Sequence, residues 1–222
     1  MNSGFSARRE IDFGRLLARS FENLWAIRMQ VAAYLAVVAV FAFALPLLGE
    51  GITGGGGFAL YLFGQYWLFQ ALLKTRGMLE TPRLHLFAFF GLAFVLIWPI
   101  MFGLAALFLP GLFLVARWIA APAFVVARGR GVFAAAGDSW QAVRGHTGKI
   151  AGAVVIMFLI VSAFGAMTGG INGALSGLDA YREAKPLDLI EAHIFPLLLL
   201  GLSVATYELL GPEDNMIEDV FG

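Results

Sequence analysis

The sequence contains no cysteine and little charge: only 14% of its 222 residues are charged. Without cysteine, the chain has no disulfide bridges, no thiolate chemistry and no cysteine-ligated metal. A soluble domain carries about 25% charged residues, so this chain has too little charge to cover a surface that faces water. Its 15 basic residues balance its 15 acidic residues, and no net positive charge attracts nucleic acid. The composition excludes an ordinary soluble enzyme, a disordered chain and a nucleic-acid-binding protein.

Hydrophobic residues make up 60% of the chain, and the mean hydropathy is +0.82. About 20 apolar residues in a helix cross a bilayer, and backbone in lipid must form its hydrogen bonds internally. We therefore predict an all-α polytopic membrane protein with six transmembrane helices and two amphipathic interfacial helices. The six predicted spans are Val31–Leu48, Gly57–Leu73, Leu86–Leu109, Leu112–Ala127, Ile150–Ile171 and Leu187–Leu210.

Basic residues are distributed unevenly over the connections between these spans. Twelve lie before the first span, between spans two and three, and between spans four and five, whereas only Arg182 and Lys185 lie on the other side. This asymmetry predicts that both termini are cytoplasmic, which requires an even number of spans. The predicted organisation is a cytoplasmic N-terminus with an interfacial helix at 1–30, a transmembrane domain at 31–210 and an acidic cytoplasmic tail at 211–222. The first span is expected to stay uncleaved, because the charged region before it is too long for a signal peptide.

Two connecting segments have the apolar spacing of amphipathic helices. The first covers Ile11–Arg28 and the second covers about 131–145, and a shift of 119 residues aligns Ser20 with Ser139. The segments are either copies in a parallel repeat or similar by chance. Each lies flat at the interface as an anchor or senses a partner or lipid. The predicted apolar faces consist of Phe13, Leu16, Leu17, Phe21, Leu24 and Trp25 in the first segment, and of Val132, Phe133, Ala136, Trp140 and Val143 in the second.

Four interfacial basic residues accompany these segments: Arg15, Arg19, Arg144 and Lys149. They are either ordinary positive-inside anchors or, near His146, contacts to lipid phosphate.

Two glycine-containing stretches predict outer turns. Pro110-Gly111 is expected to join spans three and four as a tight hairpin, and Gly54–Gly57 is expected to be a flexible loop.

Arg117 is the strongest candidate for a polar site inside the membrane. A charged side chain within a span is usually paired or faces a cavity, and Glu191 and His193 lie at a similar depth in the last predicted span. We predict either an Arg117–Glu191 pair or an Arg117 side chain that extends to water. Gln65 lies in the middle of the second span and more often bonds a neighbouring helix than a substrate.

A glycine at every fourth position marks the fifth predicted span, at Gly165, Gly169 and Gly173. On a helix these residues form a stripe without side chains, which lets another backbone approach closely. The stripe predicts close packing against a neighbouring helix of the same chain. A homo-oligomeric contact or a pore face is the alternative.

The stretch from Pro110 to His146 resembles a bacterial membrane-protein family. Its pattern is Pro110-Gly111, an arginine at 117, a proline at 122, a charged glycine-containing turn at 128–131, Ser139-Trp140 and Gly145-His146. This pattern is similar to the YciC-like proteins and to the related membrane domain of some glycerophosphodiester phosphodiesterases. The resemblance implies a multi-pass bacterial inner (plasma) membrane protein of about six helices without catalytic residues of its own.

Three functional classes stay open. The first is a non-enzymatic accessory subunit or envelope-homeostasis factor, with membrane lipids and a membrane-protein partner or a second copy as its partners. The second is a transporter or channel for a small or amphiphilic solute, with a polar site around Arg117. The third is a lipid-modifying enzyme, which the sequence supports least because the common catalytic, metal and phosphate-binding motifs are absent from it. No cofactor or metal is expected.

Overall fold

The computed structural model describes the backbone of residues 11–48, 50–81, 83–175 and 185–211, and their side chains except for residues 43, 45–55 and 170–190. Within these ranges the chain forms helices and no strands, so the predicted all-α class is confirmed. The helices are α1 (Phe13–Ala26), α2 (Arg28–Leu48), α3 (Glu50–Thr75), α4 (Leu86–Ala106), α5 (Phe108–Trp118), α6 (Ala121–Arg128), α7 (Val132–Ala142), α8 (Thr147–Leu175) and α9 (Lys185–Leu210).

Four segments are long and apolar enough to cross a membrane. They are Leu86–Ala106, Phe108–Arg128, Thr147–Gly169 and Glu191–Leu210. Phe13–Ala26 and Arg28–Ala42 count as a fifth if this pair, bent by 71°, forms one span. These helices are compatible with a multi-pass membrane protein. Six spans stay a prediction, since α3 is not among the segments that are long and apolar enough to cross a membrane.

The hairpin between α4 and α5 differs from the prediction. The chain turns at Leu107, whose backbone is extended, and Pro110 and Gly111 lie in the first turn of α5. Proline is tolerated there because first-turn N–H groups have no partner within the helix. A Cβ on Gly103 would lie 2.9 Å from the Cα of Gly111. The two glycines therefore allow α4 and α5 to touch, and the glycine predicted to form the turn serves helix packing instead.

The apolar segment that corresponds to the predicted span Leu112–Ala127 is longer than predicted, and its helix is interrupted. It begins at Phe108, and the helix is interrupted between Trp118 and Ala121, just before Pro122. The expected flexible loop at Gly54–Gly57 is also wrong, because these glycines lie within α3. The predicted outer loop after α8 and the acidic tail fall mostly on 176–184 and 212–222, outside the described residues.

The two segments predicted to be amphipathic form α1 and α7, but the packed faces differ from the predicted aromatic stripes. Helix α1 buries Leu16, Ser20 and Asn23, whereas the side chains of Phe21 and Trp25 are 45% and 70% exposed. Helix α7 buries Ala135 and Ser139 and leaves Phe133 79% exposed. Small and polar residues thus take part in the packed seam beside Leu16, because they allow close helix contact. A location at the membrane interface stays a prediction for both helices.

Helix α9 lies at the centre of the bundle and α4 lies at its edge. Helix α9 packs against α1, α2, α3 and α8, and 61% of its apolar window is buried inside the protein. Helix α4 packs mainly against α5, and only 17% of its window is buried. Between them, α5 and α6 contribute Phe124 and a group of fully or almost fully buried alanines: Ala116, Ala120, Ala121, Ala123 and Ala127.

Candidate functional site

The four residues predicted to share one polar site lie in three different environments. Arg117 lies between α5 and α7, Glu191 lies between α8 and α9, and Gln65 and His193 lie together between α2, α3 and α9. The predicted site is therefore divided, and each part has its own partners.

Arg117 is held by an aromatic residue of the connecting helix α7. Its Nη1 donates a hydrogen bond of 3.0 Å to the backbone carbonyl of Trp140. The guanidinium carbon lies 4.8 Å from the centroid of the Trp140 ring and 5.2 Å from that of Phe113. Ser139 completes the contact, since its hydroxyl donates to the Arg117 carbonyl at 2.9 Å. Cation–π attraction and these hydrogen bonds fasten α7 to α5.

Glu191 bonds to α8 and not to Arg117. The hydroxyl of Thr168 donates a hydrogen bond of 2.9 Å to Oε2 of Glu191. The carboxylate fills the space that a side chain at Gly165 would need. Neither Arg117 nor Glu191 forms an ion pair within the part of the chain that the structure describes. The predicted Arg117–Glu191 pair is wrong, because the two side chains point into different helix interfaces.

Gln65 and His193 meet in a cluster that includes two tyrosines. The ring centroids of Tyr34 and Tyr61 lie 5.6 and 6.0 Å from that of His193, both edge-on. Gln65 lies beside the Tyr34 hydroxyl. Gln65, His193 and Tyr34 are each at least 94% buried. The cluster brings polar groups and edge-on rings from α2, α3 and α9 together inside an apolar bundle.

Glycine 64 makes this cluster possible. The Tyr34 ring occupies the position of a Cβ on Gly64, so any larger residue would displace the ring.

The glycines of the predicted stripe on α8 have different surroundings. Gly165 accommodates Glu191, whereas a Cβ on Gly169 would meet none of the described residues within 4 Å. Gly173 lies within α8, but its surroundings fall outside the described side chains.

The four interfacial basic residues have different contacts. Arg15 and Arg144 are exposed. Arg19 joins α1 to α9 through both carboxylate oxygens of Glu208, with its Nε 2.8 Å from Oε2. This hydrogen bond raises the pKa of Arg19 above its usual value. Lys149 donates a hydrogen bond of 2.8 Å to the carbonyl of Ile11 and so ties α8 to the start of α1.

Further polar contacts lie at the same end of the bundle. The Nε of Arg76, after α3, donates to the Asn23 side chain at 2.8 Å. The Nε of Arg128, at the end of α6, lies 2.9 Å from Glu80 Oε1 and 3.1 Å from the Tyr207 hydroxyl. These contacts link the end of α3 to α1 and the end of α6 to α9. Three of the basic residues predicted to share one side of the membrane, Arg19, Arg76 and Arg128, therefore bond near one another, and the orientation of the chain in the membrane stays a prediction.

The functional residues that sequence reasoning missed are the partners: Tyr34, Tyr61, Thr168 and Trp140. Tyr34 had a detectable signal, because a tyrosine within an apolar run has a hydroxyl that must find a hydrogen-bond partner. Trp140 was assigned to an apolar face, and only the fold places its ring and carbonyl beside Arg117.

No group of three or more histidine, aspartate or glutamate side chains that could hold a metal ion occurs in the described ranges. Comparisons with protein-family models, with curated proteins and with solved structures found no match. The resemblance to the YciC-like family therefore stays a prediction based on the pattern between Pro110 and His146.

Proposed function

We propose that this chain is a non-enzymatic, multi-pass protein of the bacterial inner membrane. It acts through a membrane-protein or lipid partner, as an accessory subunit or an envelope-homeostasis factor. The supporting observation is the outer face of α4. Phe94, Trp98 and Phe102 are 67%, 55% and 69% exposed, and their rings stand in series, with centroids 6.3 and 6.5 Å apart.

This aromatic face suits a protein partner better than lipid alone. Lipid tails solvate leucine as well as they solvate aromatic rings, so membrane insertion does not require a row of aromatics. Aromatic residues are enriched in protein interfaces because they supply rigid contact area at low entropic cost. With most of α4 unburied within the chain, its face is free to pack against a helix of another protein.

Transport is supported less. That alternative depends on a polar site around Arg117, and Arg117 and Glu191 have separate partners on different helices. A transport function would need a polar group elsewhere, such as the Tyr34–His193 cluster. No contact of the described residues favours a lipid-modifying enzyme.

The test uses a photo-crosslinking amino acid at Trp98 in cells that express the full chain. We expect a crosslinked species larger than the monomer, formed with a defined protein. Changing Phe94→Leu and Phe102→Leu together should abolish it, because leucine preserves solubility in lipid and removes the aromatic surface. Phe158→Leu with Phe164→Leu is the matched control on α8, where both rings are also exposed, and it should leave the crosslink intact. Crosslinks to lipid alone would contradict the proposal.

Orientation has its own test. A cysteine at Thr81, in the connection between α3 and α4, should react with an impermeant reagent only after permeabilisation. A cysteine at Leu107, in the turn between α4 and α5, should react from outside. Reaction of Thr81 from outside in intact cells would contradict cytoplasmic termini.

A further inference from the structure

An open groove of about 880 Å³ lies where α1 turns into α2. We call it the bend groove. Its floor is apolar and its rim carries charged residues. Residues from α1, from the first two turns of α2 and from the end of α3 line it; the main ones are Phe21, Leu24, Trp25, Val31, Leu35 and Arg76.

The apolar part of the bend groove matches an acyl chain. Leu24, Val31 and Leu35 face it along two helices, and Phe21 and Trp25 stand at its side with large exposed fractions. In water, this amount of exposed apolar surface would be unfavourable. An amphipathic helix that lies in a membrane interface places such side chains among the lipid tails.

Two arginines at the rim match an anionic headgroup. The guanidinium of Arg28 stacks 5.3 Å from the Trp25 ring centroid, and its Nη1 donates a hydrogen bond of 3.4 Å to the Trp25 carbonyl; the side chain is otherwise exposed. Arg76 is positioned by a residue that is fully buried, since Asn23 accepts its Nε–H at 2.8 Å. That single contact fixes the plane of the guanidinium and leaves its terminal N–H groups without a hydrogen-bond partner among the described residues.

Among the described residues that line the groove, Glu22 is the acidic one, and it accepts a hydrogen bond of 3.0 Å from Nη1 of Arg19. Arg19 is shared with Glu208 and offsets the charge of Glu22 only in part. The two arginines at the rim, Arg28 and Arg76, outnumber this one carboxylate, so the groove keeps a net positive charge. Phosphate oxygens are the ordinary ligands of a guanidinium that offers several N–H groups.

The angle between the helices places these groups at the right depth. Helices α1 and α2 are bent by 71° at Ile27. If α2 crosses the membrane, α1 runs nearly in its plane. The corner between them then lies at the boundary between headgroups and tails, with the arginines on the headgroup side.

From this geometry we infer that the bend groove binds one anionic phospholipid. The phosphate lies between Arg28 and Arg76, and an acyl chain lies along Leu24, Val31 and Leu35. This inference specifies the lipid partner within the proposed function and depends on the chain being embedded in a membrane. It is independent of the α4 face, whose crosslink reports on a protein partner.

Lipid retention by the purified full chain tests the inference. The chain is incubated in mild detergent with phosphatidylglycerol or phosphatidylcholine of identical acyl chains, and bound lipid is counted by native mass spectrometry. Changing Arg28→Gln and Arg76→Gln together should lower the preference for phosphatidylglycerol about tenfold, as expected when two basic contacts to an anionic lipid are lost. The matched control is Arg15→Gln with Arg83→Gln, which removes the same charge at two exposed positions outside the groove.

A second measurement locates the tail. Phosphatidylglycerol with brominated acyl chains should quench the fluorescence of Trp25, detected as the difference between the natural chain and a Trp25→Phe variant. Equal loss of preference in both arginine pairs would overturn the inference, because the effect would then be one of overall charge. Displacement of the lipid by excess inorganic phosphate, or no quenching at Trp25, would overturn it as well.

Discussion

Helices α1 and α7 have similar sequence patterns and different positions in the protein. Both bury a serine on the packed face, Ser20 in one and Ser139 in the other, at positions that align in the sequence. Helix α1 lies against α9, with further contacts to α8 and α3, whereas α7 lies against α6, α4 and α5. An arginine joins each helix to a neighbouring helix, but Arg19 belongs to α1 itself and Arg117 reaches α7 from α5.

This difference shows what the shared pattern encodes. In both helices the buried residues include small or polar side chains, with Leu16 as the large buried residue of α1, and the large aromatics at Phe21 and Phe133 are left exposed. The pattern thus specifies a narrow seam for close contact together with an apolar outer side. Which helix occupies the seam depends on residues elsewhere in the chain. Four sets of substitutions test the comparison at different points.

The largest effect is expected at Gly201, where α9 meets α1. A Cβ there would lie 2.7 Å from the Ser20 carbonyl oxygen and 2.9 Å from the Leu24 Cγ. The backbone of α1 at Ser20 cannot move aside as the end of a flexible side chain can. Gly201→Ala should therefore lower the free energy of unfolding by about 1–3 kcal/mol. Denaturation in mixed micelles measures it. Gly137→Ala on α7 is the control, because no atom of the described residues lies within 4 Å of that Cβ. An equal effect of both changes would refute close packing at Gly201.

The second effect concerns the arginine that fastens α7. Arg117→Met keeps most of the apolar stem and removes the hydrogen bond to Trp140 and both ring contacts. We expect a loss of about 1–2 kcal/mol. Combined with Glu191→Gln, the two losses should add within about 0.5 kcal/mol, since the residues share no partner. If the double variant loses clearly less stability than the two single variants together, the data would indicate a direct Arg117–Glu191 interaction.

The two buried serines should respond differently to the same change. Ser139→Ala removes the hydrogen bond to the Arg117 carbonyl and should cost about 1 kcal/mol. Ser20→Ala should cost close to nothing, because the Ser20 hydroxyl has no hydrogen-bond partner within the described residues. The two variants are controls for each other, and thermal unfolding measures the loss of stability in each. Similar losses would mean that α1 and α7 are docked through equivalent serine contacts.

The smallest effect is expected at the α1–α9 ion pair. The Arg19 and Glu208 side chains are 32% and 20% exposed, so solvent screens their attraction. Glu208→Gln should lower stability by about 0.5 kcal/mol at low salt, and the difference should vanish near 1 M salt. Glu22→Gln, which removes only the exposed contact within α1, should have less effect. A loss from Glu208→Gln that is insensitive to salt would indicate a buried pair.

Much of the helical framework was predictable from the sequence, because it depends on local patterns. The apolar runs around Leu86–Ala106 and Glu191–Leu210 are long enough to predict helices without knowledge of their neighbours. The turn between α4 and α5 was misplaced, since the Pro110-Gly111 pair fits a turn and a first helical turn equally well. The close approach of Gly103 to Gly111 places the pair in the first turn of α5. That contact joins two different helices, so the local sequence does not reveal it.

The candidate polar site was less predictable. Its four members were grouped by depth along their helices, which says nothing of the direction in which each side chain points. Gln65 and His193 do share a cluster, whereas Arg117 and Glu191 point into other interfaces. Depth follows from counting residues, but direction follows from how each helix is rotated against its neighbours.

The sequence by itself determined the all-helical class, the apolar segments and the uneven distribution of basic residues. Helix formation and lipid compatibility are properties of short stretches of chain, so a single segment contains the information. Only the tertiary structure decided that α9 is central and α4 peripheral, that α1 packs through Ser20 and Asn23, and that Arg117 bonds Trp140. These outcomes depend on which small residues allow two distant helices to touch, and complementary shapes exist only once both helices are in place.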